Sequence, residues 1–223
     1  MTTGGSGKEG RDQLEICSYF FDHNGKDIQI PEAQSMISRD AAPYRPTRRE
    51  IREAHGKKIP DLISHDLRVL FCGINPGLYS GAVGHHFARP GNRFWRVLFA
   101  AGFTDRILSP FEERDLLDRG CGLTNIVERA TAGSDELSRE ELIDGARTLA
   151  AKVREFKPHN IAFLGIQAYR TAFGRPASVP GRQPEKIEGA TVWVLPSPSG
   201  LNAYYRFEDI VSYYRELRIE ALG

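Results

Sequence analysis

One asparagine, Asn75, stands where a short apolar run opens into a loop rich in glycine and proline, GINPGLYSG at residues 73–81. An amide has no protonation equilibrium near neutral pH, so Asn75 cannot act as a general base. It can accept a hydrogen bond from a water molecule and donate one to it, which fixes the direction in which that water attacks. The chemistry indicated is hydrolysis of a bond that has a good leaving group.

Aromatic and titratable side chains follow in the segment GHHFARPG at residues 84–91. Phe87 offers a face on which a flat base could stack, and a core aromatic would fit the same pattern. His85 and His86 are titratable hydrogen-bond donors. They have no metal-ligand partners at suitable spacing, and the three cysteines lie too far apart for a zinc site or an iron–sulfur cluster. The sequence predicts no metal site and no organic cofactor.

A second irregular segment, PSPSGLNA at residues 196–203, follows another apolar run. Neither segment contains the Gly-Lys-Ser/Thr of a phosphate-binding loop or the GxGxxG of a dinucleotide fold, so both of those ligand classes are excluded. If the two apolar runs are neighbouring parallel strands, the two loops open at the same edge of a sheet. The sequence therefore predicts one cleft built from residues more than a hundred positions apart.

Strands and helices alternate along the chain, which predicts an α/β fold, a three-layer α/β/α sandwich around a short, mostly parallel sheet. Ser138 and Glu141 form a capping box at the start of the longest helix. Residues 120–138 are interpreted as loop. The predicted strands cover residues 67–72, 160–164 and 190–195, and the predicted helices cover residues 92–101, 110–119, 142–156, 167–173 and 207–222.

The length and composition of the chain indicate how many domains it forms. The chain has 223 residues, of which 40% are hydrophobic and 26% are charged, and its net charge is +1. This predicts one catalytic domain at residues 60–223 behind an N-terminal extension at residues 1–59. No apolar run approaches the length needed to span a membrane, and residues 1–10 lack the apolar centre typical of a signal peptide. We therefore expect an intracellular, cytoplasmic protein, nucleoid-associated if bacterial. The near-neutral charge gives no global argument for nucleic-acid binding.

The N-terminal extension contains two features of note. Residues 15–21 and 26–30 could form a hairpin around His23, Asn24 and Gly25. Residues 45–58 are the most basic part of the chain, with six Lys or Arg residues against two glutamates. Either a solvated helix face or a phosphate-binding surface explains that segment.

The two loops together resemble a known family. GINPGLYSGAVGHHFARPGNRFW and VWVLPSPSGLN, with LTNIVERATAGSDELS between them, are similar to the mismatch-specific uracil-DNA glycosylases and their thymine-DNA glycosylase relatives. These enzymes form a branch of the uracil-DNA glycosylase superfamily. The resemblance runs from about residue 60 to residue 217, and the pair of motifs in this order is highly specific.

The resemblance implies roles for residues of the first loop. Asn75 matches the asparagine that holds the attacking water, and Phe87 falls where an aromatic ring stacks on the flipped base. Ile74 and Ser80 fall on the pocket wall, and Ser80 lies where the family crowds the thymine methyl group. Asn125 falls where the thymine glycosylase relatives present an amide to the base. His86 is taken as a further substrate-binding residue.

The resemblance also implies that the second loop distorts DNA. Leu201 matches the apolar wedge that enters the base stack, and Gly200 and Asn202 lie where the backbone reads the widowed guanine. Two departures stand out. Ser197 stands where the uracil-specific members usually have an asparagine of the substrate site, although the thymine glycosylase relatives have serine there, and Ala203 stands where some members carry an arginine. We expect the nearby cations to compensate by holding the DNA backbone: Arg89, Arg93 and Arg96.

The function implied is that of a monofunctional DNA glycosylase acting on uracil in G:U mispairs of double-stranded DNA, and a monomer is expected. The range of bases excised, among uracil, thymine, ethenocytosine and hypoxanthine, stays open. One alternative is a non-catalytic DNA-damage binding module on the same fold. Another is an N-glycosidase for free nucleosides, although a free nucleoside leaves no gap for the wedge to fill.

Overall fold

The computed structural model describes residues 20–21, 27–28 and 44–223. Within residues 1–42, strands β1 (Phe20–Phe21) and β2 (Asp27–Ile28) pair antiparallel, with Phe20 opposite Ile28. The predicted hairpin is confirmed at these residues, and its turn lies outside the described part. Residues 43–223 form a separate compact unit, which includes the basic segment. The division predicted between residues 59 and 60 stays a prediction.

A five-stranded sheet forms the centre of the unit at residues 43–223, in the order β4-β3-β5-β7-β6. The first four of these strands are parallel, and β6 pairs antiparallel with β7. Every residue of β3, β4 and β5 is buried, as expected for parallel strands with both faces covered. The strands are β3 (Val69–Gly73), β4 (Cys121–Asn125), β5 (Asn160–Leu164), β6 (Gly181–Ile187) and β7 (Ala190–Leu195).

Helices cover both faces of this sheet. Ser138 begins the longest helix with the predicted capping box, in which Glu141 reaches back to the Ser138 backbone. The predicted helix at residues 110–119 is a run of 3₁₀ turns. The α-helices are α1 (Arg48–Glu53), α2 (Leu78–Val83), α3 (Phe94–Ala101), α4 (Arg139–Phe156), α5 (Ile166–Phe173) and α6 (Phe207–Leu222).

Successive residues of the strands point into two separate hydrophobic cores, one on each face of the sheet. In β3, Phe71 packs with Phe94 and Tyr214 on the side of α3 and α6. Its neighbours Leu70 and Cys72 point the other way, into the core shared with α4 and α5. This period of two produces the three-layer α/β/α arrangement and confirms the predicted fold class.

The sheet also corrects the sequence prediction at two strands. Residues 121–125, interpreted as loop, form β4 beside β3 in the register Gly73 opposite Asn125. No strand was predicted for β6, which contains Pro184, and its register with β7 shifts between Arg182 and Lys186. Proline lacks an amide proton, so it is tolerated only at such an edge.

The outer side of β4 is covered by the segment that precedes β3. Leu62 and Leu123 exchange two backbone hydrogen bonds, of 2.9 Å and 2.8 Å. The polar backbone groups of this edge are therefore partly paired within the chain. In the described part of the chain, no helix combines the length and the apolar character that crossing a membrane requires.

Candidate active site

A cavity of about 340 Å³ opens at the carboxyl ends of β3, β4 and β7. This is the edge of a parallel sheet at which ligands bind, because loops and helix starts converge there. Ten of the thirteen residues predicted to bind substrate or DNA line the cavity: Ile74, Asn75, Ser80, His86, Phe87, Arg89, Asn125, Ser197, Leu201 and Asn202. Gly200, Arg93 and Arg96 do not line it.

The amide of Asn75 is held by its nitrogen. Nδ2 donates to the Thr131 hydroxyl at 2.6 Å and to the Arg129 carbonyl at 3.0 Å, with the Pro76 carbonyl at 3.2 Å. The Thr131 hydroxyl gives its own proton to the Gly133 carbonyl at 2.8 Å, so it can only accept from Asn75. Since the groups on this side are acceptors, they fix which end of the amide is the nitrogen.

The oxygen of Asn75 is left free by that anchoring. Oδ1 has no hydrogen-bond partner among the described residues, and Asn75 lines the cavity. A water molecule that donates to Oδ1 would be held at a defined place at the cavity wall. The arrangement can therefore orient a nucleophilic water without abstracting its proton.

Phe87 forms an aromatic wall of the cavity. Its ring stacks on that of Phe94, with centroids 4.0 Å apart and an interplanar angle of 24°. The backbone of Phe87 has φ +52°, in the left-handed region that aromatic residues rarely adopt. This strained conformation, of the kind that concentrates at functional sites, turns the ring so that one face packs on the core and the other is left for the cavity.

Ser80 supports the same segment from α2, the short helix that the structure places within the loop predicted to be irregular. The Ser80 side chain is buried, and its hydroxyl accepts a hydrogen bond from the backbone N–H of Ala88 at 3.0 Å. Ser80 thus both narrows the cavity and fixes the position of Phe87.

Asn125 and His86 form a buried polar pair at the end of β4. His86 Nε2 lies 3.1 Å from the carbonyl of Pro60, which can only accept, so this nitrogen carries the ring proton. Burial lowers the pKa of His86, so the ring is neutral at neutral pH and its Nδ1 is an acceptor. The Nδ2 of Asn125 lies 3.5 Å from that Nδ1. This long contact favours one orientation of the Asn125 amide.

His85, by contrast, does not line the cavity. Its Nδ1 lies 2.9 Å from Glu113, a buried carboxylate that also accepts from the backbone N–H of His86 at 2.9 Å. Only His86 was assigned to the site from the sequence, and the ring of His85 contacts Glu113 and Phe111 instead. In the described part of the chain, no group of three His, Cys, Asp or Glu residues is placed to hold a metal ion.

Residues 197–205, here called the wedge loop, present two large hydrophobic side chains to solvent, those of Leu201 and Tyr204. Leu201 is 72% exposed at the tip of this loop. Behind it, the Leu201 N–H donates to the Ser199 hydroxyl at 3.2 Å, and the Ser199 N–H lies 3.3 Å from the Ser197 hydroxyl. The loop is thus ordered by its own polar groups while its tip stays apolar.

Asn202 is occupied within that loop, which argues against its predicted contact with DNA. Its Nδ2 donates to the Ser197 carbonyl at 2.9 Å, its Oδ1 accepts from the Tyr204 N–H, and its backbone N–H donates to the Ser199 carbonyl. The carbonyls of Gly200 and Leu201, in contrast, have no hydrogen-bond partner among the described residues.

The three arginines predicted to bind DNA differ. Arg96 is exposed on α3, and its guanidinium carbon lies 5.1 Å from the centre of the Phe207 ring. Arg89 is exposed at the rim of the cavity and makes no ion pair with any residue that the structure describes. The guanidinium of Arg93 is occupied by carbonyl oxygens of the wedge loop, which argues against a direct DNA contact.

Thr131 and the Arg129 carbonyl are the site groups that sequence reasoning missed. They lie in the passage interpreted as loop, more than fifty residues after Asn75. That passage was already part of the resemblance, and this was the only signal that could have identified it. Nothing in a single sequence pairs a threonine with one particular asparagine.

Comparison with known proteins assigns the family. Residues 60–218, well over half of the chain, match the model of the uracil DNA glycosylase superfamily. A candidate uracil DNA glycosylase from Methanosarcina acetivorans, whose structure was determined in solution by NMR, shares the fold with a TM-score of 0.50 and 22% identity. The match covers 73% of this chain and 98% of that one. The chain belongs to the uracil DNA glycosylase superfamily.

Proposed function

We propose that the protein is a monofunctional DNA glycosylase that flips uracil out of G:U mispairs in double-stranded DNA and hydrolyses its N-glycosidic bond. It would belong to the mismatch-specific branch, together with the thymine glycosylase type. The observation that carries the proposal is the anchored amide of Asn75, whose free oxygen lies in a cavity walled by Phe87. Attack by the held water on the anomeric carbon would release the uracil anion and leave an abasic site.

The flipped base would be held between an aromatic face and an amide. Phe87 would stack on the ring, and Asn125 would face its Watson–Crick edge. Uracil presents an acceptor at O4 and a donor at N3, which match the nitrogen and the oxygen of an amide. Buried Ser80 on the cavity wall would disfavour the extra methyl group of thymine.

Leu201 would fill the gap that the flipped base leaves in the duplex. Insertion of an apolar side chain offsets part of the unstacking free energy, which is on the order of a few kcal/mol. The widowed guanine presents N–H donors on its Watson–Crick edge, so the free carbonyls of Gly200 and Leu201 are suitable partners. The exposed side chain of Arg89 would contact a phosphate.

The test is single-turnover release of base from a labelled duplex that contains one G:U pair, with and without alkali to cut abasic sites. We expect strand cleavage only after alkali, because neither loop contains a lysine that could form a Schiff base. Borohydride trapping of a covalent adduct would contradict the monofunctional assignment. Tight binding without release would instead identify a damage-binding module.

Replacement of Thr131 by valine tests the anchoring of Asn75. Valine keeps the shape of threonine but removes the acceptor that lies 2.6 Å from the Asn75 nitrogen, so the amide is free to rotate. We expect base release to slow by about tenfold, since misplacement of a reacting group weakens catalysis. An unchanged single-turnover rate, in a variant that melts like the wild type, would contradict this prediction.

The basic helix α1 is expected to contact DNA phosphates through one face. Arg48 and Arg52 lie one turn apart, are exposed and make no ion pair with any described residue, whereas Arg49 pairs with Glu53 at 2.7 Å. Replacing Arg48 and Arg52 with alanine should reduce the slope of log affinity against log salt by about 0.9 for each phosphate that is no longer neutralised. Fluorescence anisotropy between low and moderate salt measures this slope.

Arg49→Ala is the matched control, because Glu53 already neutralises that side chain. We expect the Arg49 variant to change the salt slope least. If all three replacements leave the slope at the wild-type value, the segment is a solvated helix face and does not bind phosphate.

A further inference from the structure

Among the described residues, Arg93 is the side chain outside the wedge loop that hydrogen-bonds to it. This residue immediately precedes α3 and is partly buried. Its Nη2 donates to the carbonyls of Ser199 and Asn202, each at 2.9 Å, and its Nη1 donates to that of Tyr205 at 3.1 Å. Its Nε lies 3.4 Å from the Pro198 carbonyl. One guanidinium thus binds four carbonyls of a single loop.

These contacts depend on the shape of the guanidinium. Arginine presents five N–H donors in a rigid planar fork, whereas lysine presents three donors at one point. A lysine at position 93 could keep the charge but could not span four carbonyls spread from Pro198 to Tyr205. No carboxylate in the described part of the chain pairs with Arg93, so its hydrogen bonds go to the loop alone.

The backbone reinforces the same connection. The N–H of Arg93 donates to the Pro198 carbonyl at 3.0 Å. A Cβ on Gly200 would lie 2.8 Å from the carbonyl oxygen of Gly91, closer than real side chains come to backbone atoms. The tip of the wedge loop therefore rests directly on the segment that contains Gly91 and Arg93.

That segment also carries the aromatic wall of the cavity. Phe87 lies six residues before Arg93, and its ring stacks on that of Phe94, the residue next to Arg93. The side chain that enters the duplex and the ring that receives the base are thus connected through Arg93 and its neighbour.

We propose that Arg93 is a positioning residue that holds Leu201 at a fixed distance from the base-stacking ring, so that insertion of the wedge and capture of the flipped base occur in one preorganised unit. The inference rests on the proposed function and deepens it. Arg93 would act through the wedge loop and would contact neither the base nor the phosphates.

A selective effect follows from this role. A uracil in single-stranded DNA has no opposite base and leaves no gap in a duplex, so its release does not need the wedge. Removal of the Arg93 hydrogen bonds should therefore slow release from a G:U duplex more than release from a single strand of the same sequence.

The experiment compares single-turnover rates on the two substrates for wild type, Arg93→Lys, Leu201→Ala and the double variant. We expect the ratio of duplex rate to single-strand rate to fall by on the order of tenfold to a hundredfold in Arg93→Lys, because a small misplacement of a positioned group can have effects of that size. If Arg93 acts through Leu201, the double variant should be no worse than Leu201→Ala alone.

Arg218→Lys is the matched control, because this arginine also donates to a backbone carbonyl, that of Gly102 at 2.9 Å, and does not line the cavity. Its duplex-to-single-strand ratio should equal that of the wild type. The inference is overturned if Arg93→Lys slows release equally on both substrates. It is also overturned if the rate reduction in the double variant is the product of the reductions in the two single variants. A change in the salt slope of binding would also overturn it, because such a change would indicate direct phosphate contact.

A fluorescent base analogue beside the uracil reports flipping without chemistry, which separates the two hypotheses. If the wild type releases no base but flips it, the proposed function fails while Arg93→Lys should still impair flipping. If the wild type is active and Arg93→Lys matches it on both substrates, only the role of Arg93 fails. A wild type that neither flips nor releases the base overturns both.

Discussion

Replacing Asn75 with alanine is expected to slow the release of uracil from a G:U duplex by about a hundredfold or more, because the nucleophilic water loses the group that orients it. The substitution removes a half-buried amide whose nitrogen is bound to Thr131 and Arg129. It removes no part of either hydrophobic core, so the fold should persist. Single-turnover kinetics at saturating enzyme measures the effect on chemistry alone.

Asn75→Asp serves as the matched variant. A carboxylate keeps an oxygen towards the cavity, but it places its second oxygen against the Arg129 carbonyl and the Thr131 hydroxyl, whose proton already goes to Gly133. The second carboxylate oxygen, the Arg129 carbonyl and the Thr131 hydroxyl are then all hydrogen-bond acceptors, so the contacts that anchor the side chain are lost. We therefore expect a rate between those of Asn75→Ala and the wild type. A wild-type rate for Asn75→Ala, with duplex affinity retained, would show that another group orients the water.

Replacing Gly145 with alanine should destabilise the protein, although helix propensity alone predicts the opposite. Gly145 lies inside α4, where alanine is favoured over glycine by about 1 kcal/mol. A Cβ at this position would, however, overlap the carbonyl oxygen of Ile126. Ile126 cannot easily move away, because its N–H donates to the Gly73 carbonyl at 3.0 Å. We expect the free energy of unfolding to fall by about 1–3 kcal/mol.

The same change should also impair the site, because Ile126 directly follows Asn125 at the end of β4. Urea denaturation measures the loss of stability, and base release measures the loss of function. Ala151→Gly, at an exposed position of α4, calibrates the effect of helix propensity in this helix. An increase in stability for Gly145→Ala would contradict the close approach of α4 to Ile126.

Sequence patterns predicted the strands that form apolar runs and missed those that do not. The predicted strands at residues 67–72, 160–164 and 190–195 are mostly apolar runs between turn signals, and they correspond to the buried strands β3, β5 and β7. Strand β4, with the sequence CGLTN, contains glycine, threonine and asparagine and is specified by its neighbour β3. The tertiary environment there overrides a weak local preference for strand.

The candidate site also has features that could be predicted from the sequence and features that only the fold shows. Asn75 and Phe87 were identified because they lie in motifs that are contiguous in the sequence. The contacts that give these residues their orientation are long-range, since Thr131 lies 56 residues from Asn75 and the Ser199 carbonyl lies 106 residues from Arg93. Arg93 was predicted to hold the DNA backbone in compensation for Ser197 and Ala203, and only the folded structure shows its hydrogen bonds to the wedge loop.

The two edge strands of the five-stranded sheet, β4 and β6, affect how readily the protein associates with itself. An open sheet edge can recruit strands from other copies of a chain and start aggregation. In this protein, Leu62 occupies backbone groups of β4 at one edge, and Pro184 interrupts the ladder of β6 at the other. Neither edge of the five-stranded sheet therefore offers an uninterrupted row of free backbone groups to a second copy of the chain.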